Sequence, residues 1–275
     1  MTDWQQIIDH GSARPADRSP AALVAELAEA LRSPDPVLRD EQAYTLLARW
    51  IPGLDPELRR GLGDTMATRL TDPEIQTRSF AALVLADLVR NGDHEARWVT
   101  AFADWYPAET DLRGHHPRLG WLHAVAHGAD LLGALGRCPQ VAPAPLLDLG
   151  AARLLAPATH VWDAQEDDRL ARALALTLTR PELTGEESLG WLDAVAADFA
   201  AGTPGPVPAY ASNTMRTLRM LYLLADRGVR PGPHGDGGAV PLTHRTALLA
   251  RLAEVLSVVA PFLGRGAGCA CPAVG

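Results

Sequence analysis

Asp35-Pro36-Val37-Leu38 and, 37 residues further on, Asp72-Pro73-Glu74-Ile75 are two copies of one signal. Each begins a helix. The Asp side chain accepts a hydrogen bond from an otherwise unpaired first-turn amide, and a proline there gives up an N–H the helix does not need. Asp55-Pro56 repeats the pattern and Ser19-Pro20 approximates it. Sliding the chain by 37 residues lays Leu38, Leu46, Leu47 and Ile51 onto Ile75, Leu83, Val84 and Leu88. The preceding helices match as well: Leu23, Leu27 and Leu31 correspond to Leu62, Met66 and Leu70, four apart and therefore on one stripe. The repeating unit is a helix pair with a period of 37–39 residues.

That period and pairing predict an all-α protein, an α-α superhelix of stacked antiparallel helix pairs of the HEAT/armadillo-like kind, with no sheet. Such arrays curve and leave a concave groove that suits a ligand. Beyond residue 92 the strict period fades, but helical segments are expected at 94–105, 118–135, 145–155, 160–179, 185–201, 212–227 and 243–263. A capping box at Thr184 and Glu187, Gly136, Gly228 and Gly264 placed past helix ends, and Thr243 ahead of the last helix support these boundaries. The expected organisation is an N-terminal segment 1–18, a single helical-repeat domain 19–264, and a flexible Gly/Cys tail 265–275.

Composition narrows the function classes. With 47% hydrophobic and 21% charged residues the chain has enough apolar surface to fold. All 25 basic residues are Arg, the net charge is −8, and no basic run is interleaved with aromatics, so a phosphate backbone is not an expected partner. No apolar run approaches the ~18–20 residues of a membrane helix, and the start does not read as a signal peptide. With three Cys in all, a disulfide framework is not expected. These features point to a cytoplasmic protein with no membrane partner, and the Ala/Leu/Arg-rich usage to a GC-rich bacterial genome.

Four of the nine His fall within 115–127, in His115-His116-Pro117-Arg118-Leu119-Gly120-Trp121-Leu122-His123-Ala124-Val125-Ala126-His127-Gly128-Ala129-Asp130. On a helix, His123, His127 and Asp130 project within one narrow stripe. Two imidazoles at i and i+4 with a carboxylate one turn on suffice to ligate a divalent ion such as zinc, manganese or iron. They suffice equally for acid–base chemistry, in which these three are the candidate catalytic residues. The spacing lacks the intervening Glu of a metalloprotease helix, and the same residues also read as a hydrogen-bonded polar face. Trp121, Leu122, Val125, Leu132 and Leu135 are expected on the opposite, core side. Gly120 and Gly128, unfavourable in a helix interior, suggest close approach of another backbone or a ligand.

A second polar run, His160 to Leu170, places Glu166, Asp167 and Asp168 in a first helical turn, where they complement the helix dipole. His160 or Glu166 could also face the histidines from a neighbouring helix. Candidate ligand-binding residues are Arg39, Asp40, Arg78, Trp121, His160, Glu166 and Asn213, the last also read as a helix cap. Arg39-Asp40 and Arg78-Ser79 recur at similar points of their units, where an inter-helix salt bridge is the alternative. No phosphate-binding glycine loop or nucleophile elbow occurs, and Cys269-Ala270-Cys271 reads as part of the tail.

The run Gly120 to Asp130 resembles the signature of the bacterial family known as domain of unknown function 2785. Arg39-Asp40, Arg78-Ser79-Phe80, Glu166 to Leu170, and the segment Asn213 to Tyr222 match in order, so that the resemblance spans about residues 20–263. It implies a helical repeat fold and a family signature carried by His123, His127 and Asp130, and it supplies no reaction. The expected function is binding of a small polar ligand or peptide in the concave groove, with metal-assisted or acid/base catalysis as one form of it. A non-catalytic scaffold for a peptide or partner protein is the alternative.

Overall fold

A computed structural model describes residues 2–203, 205–232 and 235–263 of the chain. Its regular structure is mostly helical. The first, α1 (Trp4–Asp9), tucks Trp4 against Trp50 at 6.5 Å between ring centroids. Then come α2 (Pro20–Ala30), a π-helical stretch Val37–Tyr44 that runs on into α3 (Thr45–Trp50), α4 (Pro56–Arg69), α5 (Ile75–Arg90) and α6 (Ala96–Trp105). At Ser19-Pro20 and Asp55-Pro56 the signals work as expected, whereas after Asp72-Pro73 the helix starts only at Ile75, with Glu74 as its cap residue. Ser19 Oγ accepts from Ala22 N at 3.1 Å, and Asp35, Asp55 and Asp72 carboxylates accept from Val37, Glu57 and Glu74 amides at 3.0, 2.8 and 2.9 Å. The stripe Leu23, Leu27, Leu31 and its counterpart Leu62, Met66, Leu70 are all buried.

The second half contains α7 (Ala124–Arg137), α8 (Ala144–Leu155), α9 (Glu166–Thr177), α10 (Gly185–Gly190), α11 (Leu192–Ala201), α12 (Ala209–Arg227) and α13 (Arg245–Val259). Helices α3, α5, α7, α9 and α12 form one row, each packed on the next, with α13 against α12. Helices α4 and α8 cover this row from behind: α4 packs on α5 and α6, and α8 on α9, α11 and α12. The row carries the polar groups of the candidate site.

Four local expectations fail for identifiable reasons. The absence of a sheet does not hold: β1 (His115–His116) and β2 (Gly120–Trp121) pair antiparallel, His115 opposite Trp121 and His116 opposite Gly120, and Val229 bridges Val240. Pro117 cannot donate to a helix, Gly120 adopts φ +70°, and His116 Nδ1 collects the amides of Arg118 and Leu119, which closes the turn. The expected helix 118–135 therefore starts only at Ala124, after His123 at φ +44°. Residues 160–165 likewise stay outside α9, because the buried Asn213 amide takes the Trp162 N–H and donates to the His160 carbonyl. Asn213 lies inside α12 and caps nothing.

Among the glycines, Gly228 does terminate α12 at φ +83°, whereas Gly136 is inside α7, where a Cβ would stand 2.1 Å from Thr177 Oγ1. The capping box at Thr184 and Glu187 is present. Thr243 does not cap α13; its amide and hydroxyl donate to the Leu178 and Arg180 carbonyls. Gly264 and the tail with Cys269 and Cys271 lie outside the described residues.

Candidate functional site

The site begins where the β1–β2 ribbon hands over to α7. His123 occupies the left-handed backbone region, which costs a non-glycine residue on the order of 1 kcal/mol and aims its side chain away from the helix that follows. Its ring stacks on Trp121, centroids 4.4 Å apart and planes within 5°, and His115 meets the same indole edge-on at 4.9 Å. Trp121 is 47% exposed and His123 8%, so the imidazole is shielded by an indole that itself faces outward. The expectation that Trp121 turns to the core while the histidines face away from it is thereby reversed. The α7 signature is buried on nearly every side, His127 included.

From α9, Glu166 reaches this imidazole. Its Oε1 lies 3.5 Å from His123 Nδ1, and neither atom has a hydrogen-bond partner although both are buried. The other oxygen accepts from the Ala164 amide at 2.9 Å. Gly114 makes room for the carboxylate, since a Cβ there would stand 2.4 Å from Oε1. Burial by itself would raise the Glu166 carboxyl, but His123, its own amide and that of Ala164 together hold it below its usual range. Glu166 thus faces the histidine cluster as one of the two expected alternatives, and His160 does not. His160 stands 3.6 Å from Asp163 and serves through its carbonyl as an anchor for Asn213.

One turn into α7, His127 shares a 2.8 Å hydrogen bond between Nδ1 and Ser79 Oγ of α5, and its ring stands edge-on to Phe80 at 5.1 Å. Its ring centroid is 5.6 Å from that of His123. Burial, with the charges of Arg169, His123 and Arg39 adding to it, drives the imidazole well below its ordinary 6.5, so it is neutral. Ser79 is fully buried, which makes this bond a positioning contact.

Arg39 is the strut under the ribbon. Fully buried, it donates to the Leu119 and Trp121 carbonyls and to Ser33 O, pairs with Asp40 at 2.6 Å, and lies over the Phe80 ring at 4.9 Å. Asp40, beside it, is raised by its own burial in spite of the guanidinium. Gly120 fits because a Cβ would press on Pro36 at 2.6 Å, and Gly128 because one would overlap Tyr106 at 2.1 Å. The close approaches are therefore made by a proline and an aromatic ring.

Two expected members stand apart. Arg78, like Arg39, donates to the carbonyl six residues earlier, but its fork closes on Glu109 at 2.6 and 2.8 Å. Asp130 points away from both histidines into an ion pair with Arg169, with Arg90 at 4.0 Å. Among the described residues no group of three His, Cys, Asp or Glu side chains is disposed to hold a metal ion. The groups that sequence reasoning overlooked are the arginines around Asp130: Arg90, Arg137, Arg169 and Arg172. Their only trace in the sequence is the Arg169-x-x-Arg172 spacing, which puts both on one face of α9.

Residues 66–223, more than half of the chain, match a family model described as protein of unknown function (DUF2785). Neither the curated proteins nor the solved structures yield a match.

Proposed function

The chain belongs to this family, DUF2785, and from its geometry we propose that it is a ligand-binding helical protein whose recognition point is the His123–Glu166 pair beneath Trp121. The helix pairs are read as a HEAT/armadillo-like superhelix with the row α3, α5, α7, α9 and α12 as its ligand-facing side. The ligand is a small polar molecule or the polar end of a peptide, and the setting is the cytoplasm of a bacterium. One observation carries the reading: a buried imidazole nitrogen and a buried carboxylate oxygen face each other without a hydrogen-bond partner. Native structures rarely leave such atoms unanswered, since each costs on the order of 1–3 kcal/mol. A ligand group that comes within hydrogen-bond distance of both atoms satisfies both, with the indole of Trp121 as a flat wall.

In chemical terms, a carboxylate beside an imidazole orients the ring, the arrangement of a general base and the group that positions it. His127, kept neutral and tied to Ser79, holds the floor of the site. A non-catalytic peptide scaffold is the second reading, favoured by the exposure of Trp121.

The test is ligand-observed NMR with a panel of small amides, amines and tripeptides against the wild type, His123→Gln and Glu166→Gln. Members of the panel bind the wild type and lose at least tenfold in affinity to both variants, whose melting temperatures stay within a few degrees of the wild type. Equal binding to the variants, or no binding together with a large drop in melting temperature, overturns the proposal and leaves the pair a packing feature.

A further inference from the structure

Further along α7 lies a cavity of about 460 Å³, walled by α5, α7 and α9 and by the loop at Pro231–Gly232. This falls within the ~300–1,000 Å³ of typical small-molecule sites. Its charge is opposite to that of the protein around it. In a chain of net charge −8, the lining contains four arginines, Arg90, Arg137, Arg169 and Arg172, and one carboxylate, Asp130.

Two of these charges are answered from within. Arg169 pairs with Asp130, and Arg90 with Asp87 at 2.9 Å. The other two are not. Arg137 donates to the Pro231 carbonyl at 3.2 Å, and Arg172 to those of Arg230 and Gly232. Among the described residues no carboxylate lies within ion-pair distance of either, and Asp236 acts on Arg172 only from further off. Two of the guanidinium groups feel their neighbours. Arg169 is brought down to about 10, first by burial and then by Arg90 and Arg172, and Arg172 is lowered by burial and then by Arg90 and Arg137. Like charges held together in a part-desolvated cavity, with five donors each and few acceptors, are matched by an anion. An apolar stretch of the wall is formed by Val89, Ala129, Ala173 and Leu176.

We infer that this cavity binds a small phosphate monoester, with its dianionic group between Arg137 and Arg172 and its organic body against Ala173 and Leu176. Two uncompensated guanidinium charges call for two negative charges, which a phosphate monoester supplies on one tetrahedral group and a monocarboxylate does not. The inference rests on residues separate from the His123–Glu166 pair, and either can fail without the other.

Calorimetric titration of the full chain at low ionic strength tests it, with phenyl phosphate, inorganic phosphate and benzoate as probes. Phenyl phosphate binds with one site per chain, more tightly than inorganic phosphate because of the apolar wall and at least tenfold more tightly than benzoate. The double variant Arg137→Gln/Arg172→Gln weakens phenyl phosphate at least tenfold, whereas His123→Gln leaves it unchanged. Should the double variant fold poorly, Gln140→Glu, which sets a negative charge on the cavity rim, lowers the affinity severalfold in an otherwise intact chain. Absence of heat with both phosphates, equal affinity for benzoate, or undiminished binding in folded variants would each overturn the inference.

Discussion

The two ends of helix α7 treat buried polar groups in opposite ways. At its N-terminus nearly every demand is met by the chain itself: Arg39 feeds the ribbon carbonyls, Ser79 holds His127, and burial keeps that imidazole uncharged. Among the described atoms left there without a hydrogen bond, Arg39 Nε and Asp40 Oδ1 answer each other at 2.6 Å, while His123 Nδ1 and Glu166 Oε1 stand 3.5 Å apart. At the other end, by contrast, charge is accumulated and only partly answered, with Arg137 and Arg172 reduced to loop carbonyls. One end is therefore a finished structure with one opening, the other an electrostatic vacancy. Arginine itself changes meaning between them. Arg39 is a structural member whose loss removes hydrogen bonds, and Arg137 a source of repulsion whose loss relieves strain.

That contrast can be broken most forcefully at Arg39. Arg39→Met leaves the Leu119 and Trp121 carbonyls without donors and Asp40 without its partner, and should cost about 3 kcal/mol of stability, measured by urea unfolding. Because the ribbon loses its strut, the tryptophan emission of the folded variant should shift as Trp121 leaves His123. A loss below about 1 kcal/mol would place Arg39 with the arginines of the cavity and erase the distinction.

A middle-sized effect concerns pH. Folded His127 stays neutral to a pH well below 6.5, whereas in the unfolded chain it takes up a proton near that value. Acid therefore favours unfolding. The contribution is complete above about pH 6.5 and declines as pH falls below it, by at most ~1.4 kcal/mol per pH unit until the folded group also titrates. Denaturation curves at pH 7.0, 6.0 and 5.0 should show this slope in the wild type and a shallower one in His127→Gln. An unchanged slope would mean that the buried imidazole is already charged.

The smallest effect belongs to the cavity. Arg137→Gln should alter stability by no more than ~0.5 kcal/mol, and the stabilisation of the wild type by added sodium chloride should shrink in the variant, since screening relieves the same repulsion. If Arg137→Gln instead destabilises as strongly as Arg39→Met, the cavity arginines are structural too.

Much of the scaffold could be read directly from the chain. Ser19-Pro20 and Asp55-Pro56 cap helices by local hydrogen bonds that need no distant partner, and the leucine stripes are set by helical period alone. The family signature around Gly120 to Asp130 was visible too, and so was the possibility that Glu166 meets it. Its geometry was not visible, because a helical wheel assumes helical backbone at His123, where a turn at Pro117 and Gly120 had already interrupted it. The ends of the helices near 160 and 213 escaped for the same reason, since a buried amide from α12 decides where α9 starts.

By itself the sequence determined what depends on neighbours a few residues apart: the helical class, some of the helix starts, the apolar stripes and the family. Tertiary structure alone decided which polar groups are paired. It turned Asp130 from the histidines to Arg169, gave His123 to Glu166 and gathered four arginines around one cavity. The physical reason is that burial and charge neutralisation depend on groups far apart in sequence, whose distance is set only when the helices pack.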